Sequence, residues 1–465
     1  MNQPAAAENK MGVMPVPKLL LSMAMPMIIS MLVQALYNVV DTLYISRVSD
    51  AAVNALTLAF PVQNLLIGFA TGVGVGVNSM FSKALGEGNL ERANRTAQHG
   101  LLLSLGSMAI FMLFGMVALP TYFGLLSNDA QAISDGVSYL SICCVFSCGI
   151  FIEILFERLL QATGRTFYTM ITQGVGAILN IVLDPVFIFG FGPIQPMGTA
   201  GAAVATVIGQ IVAAILAVIF NLTSNPEVLL FKKSAPRFKL SSWVLKPILS
   251  IGIPSVIMVA IGSVMNFGTS YILQGMDTSG TATNVFGIYF KLQSFFFMPL
   301  FGINNATISI LAYNYGARKP RRITAALKLA CLIAFCFTCL GFLSFEAIPQ
   351  MLLGLFEMRD PNFLVLGGTA LRIIGIHFPI AAFCIALGAA FQALGVGIYS
   401  TIVSLCRQLL VLLPVAYLLS LTGSVDAVWW SFPIAELASL LVTSLCFIRI
   451  YRRKIHPMLR EEAGA

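Results

Sequence analysis

The stretch LNIVLDPVFIFG, residues 179–190, is apolar along almost its whole length but contains one acid, Asp184, followed directly by Pro185. An ionised carboxylate in hydrocarbon is costly unless it is paired, hydrated or protonated. Proline removes one backbone hydrogen bond from a helix and kinks it. The stretch therefore predicts a membrane helix in which a buried acid lies beside a bend.

The remainder of the chain has the same apolar character. Of its 465 residues, 58% are hydrophobic and only 10% are charged, and the mean hydropathy is +0.89. Soluble domains contain about 25% charged residues, so no long segment has the composition of a soluble domain. The chain is therefore predicted to be an all-α membrane protein with many spans and the lipid bilayer as a partner. Its nine cysteines lie in apolar runs and are interpreted as small buried side chains, not metal ligands.

Twelve apolar runs are long enough to cross a bilayer, which requires about 20 helical residues. They cover residues 18–46, 53–81, 97–120, 130–156, 166–190, 198–222, 243–275, 281–311, 325–348, 362–391, 396–420 and 427–449. Lys and Arg are concentrated in the loops on one side, which include Arg158 after the fourth span, and such loops face the cytoplasm. We predict a plasma (inner) membrane protein with both termini in the cytoplasm. The net charge of +8 is thus a topology signal, and no nucleic acid is expected as a partner.

Segments of the first half recur in the second half. PMIISMLVQALYN (26–38) is similar to PSVIMVAIGSVMN (254–266), and QATG (161–164) to QALG (392–395), at separations of 228 and 231 residues. Each half holds six spans, so the halves run parallel, related by an axis along the membrane normal, with a cavity between them. The predicted domains are an N-lobe at 1–223, a cytoplasmic linker at 224–242 and a C-lobe at 243–465.

Polar side chains of four spans lie at similar depth, six to nine residues from the outer ends, or roughly 9–14 Å. They are Asp41, Tyr139, Asp184 and Thr206. Asn180 shares a helix face with Asp184, and Gln210 shares one with Thr206. Spacings of three and four also place Gln34, Tyr37, Asn38 and Tyr44 on the face of Asp41. An ionisable residue inside a membrane is a functional candidate by default.

Two chemistries fit this polar set. Two neighbouring acids in a medium of low dielectric favour sharing a proton. Alternatively, the oxygens of Asp41, Asn180, Asp184 and Thr206 suit Na⁺, a hard cation. H⁺ or Na⁺ is therefore expected as a coupling ion, and no other cofactor is expected. Pro26 and Pro185 are predicted hinges, with a fixed kink as the alternative at Pro26.

The second half carries basic residues in or near its spans, namely Lys291, Arg372 and Arg407. Three roles remain open for them. They pair with Glu153 or Glu436, line the cavity for an anion, or extend to the membrane surface.

Together these features resemble the multidrug and toxic compound extrusion (MATE) family. The resemblance rests on Pro26 to Asp41, QATG and QALG, LNIVLDPVFIFG and GAAVATVIGQ (201–210), and it spans nearly the whole chain. It implies a V-shaped, two-lobed antiporter that exports lipophilic, often cationic drugs. In the DinF-like branch, the cation-coupling residues match Asp41, Asn180 and Asp184 here, and also Tyr139 and Thr206. A second branch uses acidic residues in spans 7 and 10, and the corresponding stretches of this sequence contain no acid.

The resulting hypothesis is a monomeric, cation-coupled exporter of small organic molecules that is not an enzyme. The closest alternative is a flippase for lipid-linked oligosaccharides of the same superfamily, whose anionic substrate would favour a basic cavity. An intramembrane enzyme would need clustered metal ligands or a nucleophile, whereas the three histidines lie on separate segments. A passive channel is disfavoured by the proline-containing spans and the repeat.

Overall fold

The computed structural model describes residues 9–277, 279–356 and 362–464. Within them the regular backbone is helical, apart from one isolated β-bridge between Phe191 and Ile194. The helices are α1 (Lys10–Val13), α2 (Val16–Ser46), α3 (Asp50–Gly86), α4 (Leu90–Val117), α5 (Leu119–Leu126), α6 (Ala130–Val145), α7 (Cys148–Ala162), α8 (Thr166–Ile188), α9 (Thr199–Ser224), α10 (Ser242–Met276), α11 (Thr281–Gly316), α12 (Pro320–Ala347), α13 (Pro349–Gly354), α14 (Phe363–Gly375), α15 (Phe378–Ala393), α16 (Ile398–Leu405), α17 (Leu413–Ser420), α18 (Val425–Trp429), α19 (Ser431–Ile450) and α20 (His456–Gly464). Two π-helices, Cys406–Leu412 and Tyr451–Ile455, extend α16 and α19.

The twelve predicted spans agree with these helices. Among the described residues, ten helical segments are long and apolar enough to cross a membrane, and two bent pairs bring the number to twelve if each pair is one span. The pairs are α6 with α7 and α14 with α15, and each bends by 46°. Pro379 accounts for the second break, because it has no backbone N–H to continue the helix. The sequence predicted both pairs as uninterrupted spans.

The two halves contact each other mainly through α3 with α10 and α11, and through α2 with α11. Glycines allow this approach. A Cβ at Gly72 would lie 2.7 Å from the Gly252 carbonyl oxygen, and one at Gly86 only 2.0 Å from the Tyr313 carbonyl oxygen. The reciprocal Cβ at Gly316 would lie 2.1 Å from the Lys83 carbonyl oxygen. The halves are therefore in backbone contact near the ends of α3 and α11.

The repeated motifs adopt the same conformation in both halves. Gly164 and Gly395 end α7 and α15 with φ of +82° and +75°, a region that favours glycine. The residue after each glycine donates its N–H back into the helix, from Arg165 to the Leu160 oxygen and from Val396 to the Phe391 oxygen. QATG and QALG are thus equivalent helix-ending turns.

Residues 9–14 bridge the halves at the end of the molecule that also carries the linker and α20, which we call the linker end. Asn9 donates to Glu227 of the linker at 3.1 Å, and Glu227 also forms an ion pair with Arg165 at 3.0 Å. From the second half, Arg322 donates to the Met14 carbonyl oxygen at 2.6 Å. The N-terminal segment therefore ties both halves together.

Candidate functional site

A cavity of about 590 Å³ lies between the halves, and we call it cavity A. Amide side chains dominate its polar lining. They are Gln34, Gln63, Gln161, Gln173, Gln210, Gln392, Gln408, Asn180, Asn304 and Asn305. Its charged lining residues are Glu153, Glu157, Arg158 and Arg407. Such a lining offers hydrogen-bond donors and acceptors on every side and charges of both signs.

At one wall of cavity A, α8 and α9 join three predicted site residues in one hydrogen-bonded cluster. The Asn180 amide is oriented by its neighbours. Its NH₂ donates to Asp184 at 3.2 Å, and its oxygen accepts from the Thr206 hydroxyl at 3.2 Å. Asn180 and Thr206 line the cavity, while Asp184 is fully buried behind them. The i to i+4 spacing on α8 produces the first contact, and the close packing of α9 produces the second.

Asp41 faces this cluster from α2. It is close enough to interact electrostatically with Asp184 and with the phenols of Tyr37 and Tyr139. One oxygen of Asp41, Oδ1, is buried without a hydrogen-bond partner among the described residues. Tyr139 is buried, and its hydroxyl accepts from Gln63, a cavity residue, at 3.1 Å. Asp41 therefore lies within electrostatic range of Asp184, although neither acid is itself in the lining of cavity A. That the two acids bind one ion together stays a prediction.

Only some of the other predicted residues of the first half line cavity A. Gln34, Tyr37 and Gln210 line cavity A. Asn38 is exposed, and the Tyr44 ring packs edge-on against Phe189 with centroids 6.2 Å apart. Neither of these two lines cavity A. Pro26 and Pro185 lie inside α2 and α8, and their role as hinges stays a prediction.

Of the three roles left open for the basic residues of the second half, cavity lining does not hold for two residues. Lys291 and Arg372 are exposed and line neither cavity A nor the second cavity described below. A charge within an apolar run reveals depth, but not the direction in which the side chain points. Arg407 does line cavity A, and its Nη1 lies 3.5 Å from Oε1 of Glu436. The proposed pairing with Glu436 is therefore present.

Sequence reasoning missed a polar group on α7. Glu157 is buried and accepts from the Thr172 hydroxyl at 2.6 Å and the Gln173 amide at 2.8 Å. Arg158 is also buried and donates to Gln161 at 3.0 Å. The sequence assigns Arg158 to a loop because the apolar run ends at residue 156, and this assignment is wrong. The signal was the spacing of Glu153, Glu157 and Gln161, four residues apart on one helix face.

No group of three or more His, Cys, Asp or Glu side chains able to hold a metal ion occurs in residues 9–277, 279–356 and 362–464. The Asp41 and Asp184 pair has only two acids, and it draws its other oxygens from an amide and a hydroxyl. Such a set suits a monovalent cation or a proton better than a transition metal.

Comparison with known proteins identifies relatives that match more than nine-tenths of the chain. An FAD transporter of Shewanella oneidensis is 26% identical over 423 residues, which cover 91% of this chain and 92% of that protein. The multidrug export protein MepA of Staphylococcus aureus (strain MRSA252) is 25% identical over 443 residues, covering 93% and 94%.

Two solved structures share the fold. One is an outward-facing multidrug resistance MATE family transporter of the MOP superfamily, with a TM-score of 0.90 over 98% of this chain and 100% of that chain, at 24% identity. The other is a MOP superfamily transporter from Pyrococcus furiosus, with a TM-score of 0.89 and 24% identity, covering 98% and 99%. The MatE family model matches residues 26–186 and 254–418, more than half of the chain, and its two matches begin 228 residues apart. The chain is a multi-pass membrane protein and belongs to the MatE family of transporters.

Proposed function

We propose that this protein is an antiporter of the DinF-like branch that couples inward flow of H⁺ or Na⁺ to the export of lipophilic, cationic organic compounds. The observation that carries the proposal is the Asp184–Asn180–Thr206 cluster, with Asp41 facing it and cavity A on its open side. No enzymatic step is proposed. We also propose that the protein acts as a monomer in the inner membrane with both termini in the cytoplasm.

Coupling follows from the unpaired oxygen of Asp41. A proton or Na⁺ that binds between Asp41 and Asp184 removes the repulsion between the two acids. It therefore stabilises a conformation in which α2 and α8 lie close together. When the ion leaves, the repulsion returns and the alternative conformation gains population, because a ligand shifts an equilibrium by its difference in affinity for the two states. Pro26 and Pro185 are the proposed points of bending.

Substrate selection follows from the charges of cavity A. Glu157 has hydrogen-bond partners on α8, whereas Glu153 lines the cavity without a described hydrogen bond. Glu153 is therefore the acid available to a cationic drug, in agreement with the multidrug export activity in the name of MepA. The flippase alternative keeps only part of its basic cavity, because Lys291 and Arg372 lie outside cavity A whereas Arg407 lines it.

A second substrate class has support of its own. The Shewanella relative is named an FAD transporter, and FAD is an anion with a heteroaromatic ring. Arg158 and Arg407 bring one guanidinium from each half to cavity A, and guanidinium groups bind phosphate oxygens in bidentate geometry. A flavin nucleotide is therefore the second candidate.

The test uses purified protein in proteoliposomes with separately imposed proton and sodium gradients. We expect wild-type protein to move a cationic fluorescent dye against its gradient, and Asp41→Asn and Asp184→Asn to lose this coupling. Lys291→Met serves as the matched control, because it removes a charge from an exposed site outside the cavity. Coupling that persists in both Asn variants would refute the site.

A further inference from the structure

A second cavity of about 430 Å³ adjoins cavity A on the side of the second half, and we call it cavity B. Five phenylalanines and four methionines contribute to its lining, among them Phe290, Phe297, Phe301, Phe432, Met258 and Met298. Phenylalanine rings present flat faces and edges to a planar guest, and methionine adapts its shape to aromatic partners. Cavity B therefore has the surface of a binding chamber for a flat ring.

One wall of cavity B is polar and incompletely paired. Arg407 and Glu436 line it and lie 3.5 Å apart, from Nη1 to Oε1. Glu436 is only 4% exposed, yet this same Oε1 has no hydrogen-bond partner in the described part of the chain. Oε1 of Gln408 is also buried and unpartnered there. Charge-assisted hydrogen bonds normally measure about 2.7–2.9 Å, so this wall leaves hydrogen-bonding capacity for a guest.

His377 does not share this free capacity. Its Nδ1 lies 2.6 Å from the Ile374 carbonyl oxygen, which can only accept, so Nδ1 carries the proton. Its Nε2 lies 3.4 Å from the amide nitrogen of Gln293, which can donate to it. Both ring nitrogens therefore have partners, and His377 forms a fixed part of the wall.

A π-helix carries two residues of this polar wall. Arg407 and Gln408 both lie in the π-helix Cys406–Leu412, where the sequence predicted ordinary α-helix. Pro414 follows it and has no N–H to donate to the carbonyl of residue 410, so the usual hydrogen-bond ladder is interrupted there. π-helical turns are frequent at functional sites. The irregular turn places Arg407 and Gln408 where both cavities meet.

We propose that cavity B is a second ligand site, which takes a flat heteroaromatic ring with a neutral edge that holds an N–H beside a carbonyl, as in a lactam or imide. The carbonyl accepts from Arg407, and the N–H donates to Glu436. A carboxylate at this position would be repelled by Glu436, and an ammonium group by Arg407. The rest of an elongated substrate extends into the amide-lined cavity A. The inference rests on the proposed export function, since it gives the substrate class for the same combined cavity.

The test measures binding without any gradient, so it fails independently of the coupling experiment. Lumiflavin has the required imide, and 3-methyl-lumiflavin has a methyl group in place of the imide hydrogen. Titration of detergent-solubilised protein, followed by flavin fluorescence and corrected with empty micelles, gives both affinities. We expect wild-type protein to prefer lumiflavin about tenfold, the effect of one hydrogen bond to a charged group.

Variants then test the assignment of the wall. Glu436→Leu should reduce the preference to less than about twofold, because it removes the acceptor of the N–H. Arg407→Met should instead weaken the binding of both flavins, because both carry the carbonyl that accepts from Arg407. Lys291→Met should retain the preference and both affinities. The wild-type comparison requires no substitution, so it tests the proposal even where a variant is unstable. Equal affinity of wild-type protein for the two flavins, a preference that survives in Glu436→Leu, or unchanged affinity for both flavins in Arg407→Met would overturn the proposal.

Discussion

The backbone contact between the halves makes a quantitative prediction for Gly86→Ala. The new Cβ would lie 2.0 Å from the Tyr313 oxygen and 2.9 Å from the Ala317 nitrogen, whereas real Cβ contacts stay beyond 3.0 Å. The Tyr313 oxygen must therefore retreat by at least about 1 Å, and as a backbone atom in α11 it cannot rotate away. Overpacking of this kind costs roughly 1–3 kcal/mol. The substitution should therefore disfavour the conformation that is closed at the linker end by about 5- to 150-fold.

Thiol labelling measures this shift. Ser309 is fully buried on α11, and its hydroxyl donates to Asn78 of α3 at 3.0 Å across the interface. In a background without the native cysteines, Ser309→Cys reacts with a hydrophilic maleimide only when the halves part. We expect Gly86→Ala to accelerate this reaction in lipid nanodiscs by at least about fivefold. Gly106→Ala is the matched control, because its Cβ would meet nothing within 4 Å.

The reasoning would be wrong if Gly86→Ala labelled at the wild-type rate and transported normally. It would also be wrong if Gly106→Ala accelerated labelling equally, since the effect would then come from helix propensity and not from the contact. A double variant with Gly316→Ala should open the linker end further, because its Cβ would lie 2.1 Å from the Lys83 oxygen.

Three further predictions concern single groups. Glu157→Leu should lower the melting temperature, because the Gln173 amide on α8 loses its acceptor at about 1–3 kcal/mol, whereas the Thr172 hydroxyl keeps the Thr169 carbonyl oxygen. Glu153→Leu should change transport of cationic dyes but not thermal stability. Pro414→Ala restores a backbone donor and should convert the π-helix to α-helix, which weakens lumiflavin binding in the fluorescence titration. Arg322→Ala removes hydrogen bonds to the N-terminal segment, so trypsin should cleave at Lys10 faster than in wild-type protein, as followed by mass spectrometry.

The helices were largely predictable because the bilayer imposes a simple rule. An apolar run of sufficient length must form a helix, since every backbone group has to be satisfied within the segment. The departures have local causes that such a rule does not contain. The break before Phe378 follows from Pro379, and the π-helix precedes Pro414. Proline was visible in both runs, but its consequence depends on which neighbouring groups accept the displaced hydrogen bonds.

The candidate site was predictable to the extent that it depends on a single helix. Asn180 and Asp184 are four residues apart on α8, so their contact follows from helix geometry. The pairing of Arg407 with Glu436 joins different segments, and the sequence left it as one of three alternatives. Glu157 and Arg158 were missed because their charges were interpreted as the end of the apolar run. In the structure, hydrogen bonds from two side chains of α8 allow Glu157 to be buried within the helix bundle.

The separation of the acid pair from cavity B leads to a further expectation about coupling. Asp41 and Asp184 belong to the first half, while Arg407 and Glu436 belong to the second, so an ion and a ring need not compete for the same atoms. Any effect of one on the other must then pass through the equilibrium between conformations. Thermodynamic linkage requires that effect to be reciprocal. If saturating Na⁺ or a change in pH alters the affinity for lumiflavin by some factor, saturating lumiflavin must alter the affinity for that ion by the same factor. Measured affinities that instead show lumiflavin excluding the ion altogether would mean that both occupy one site, and the assignment of separate roles to the two halves would be wrong.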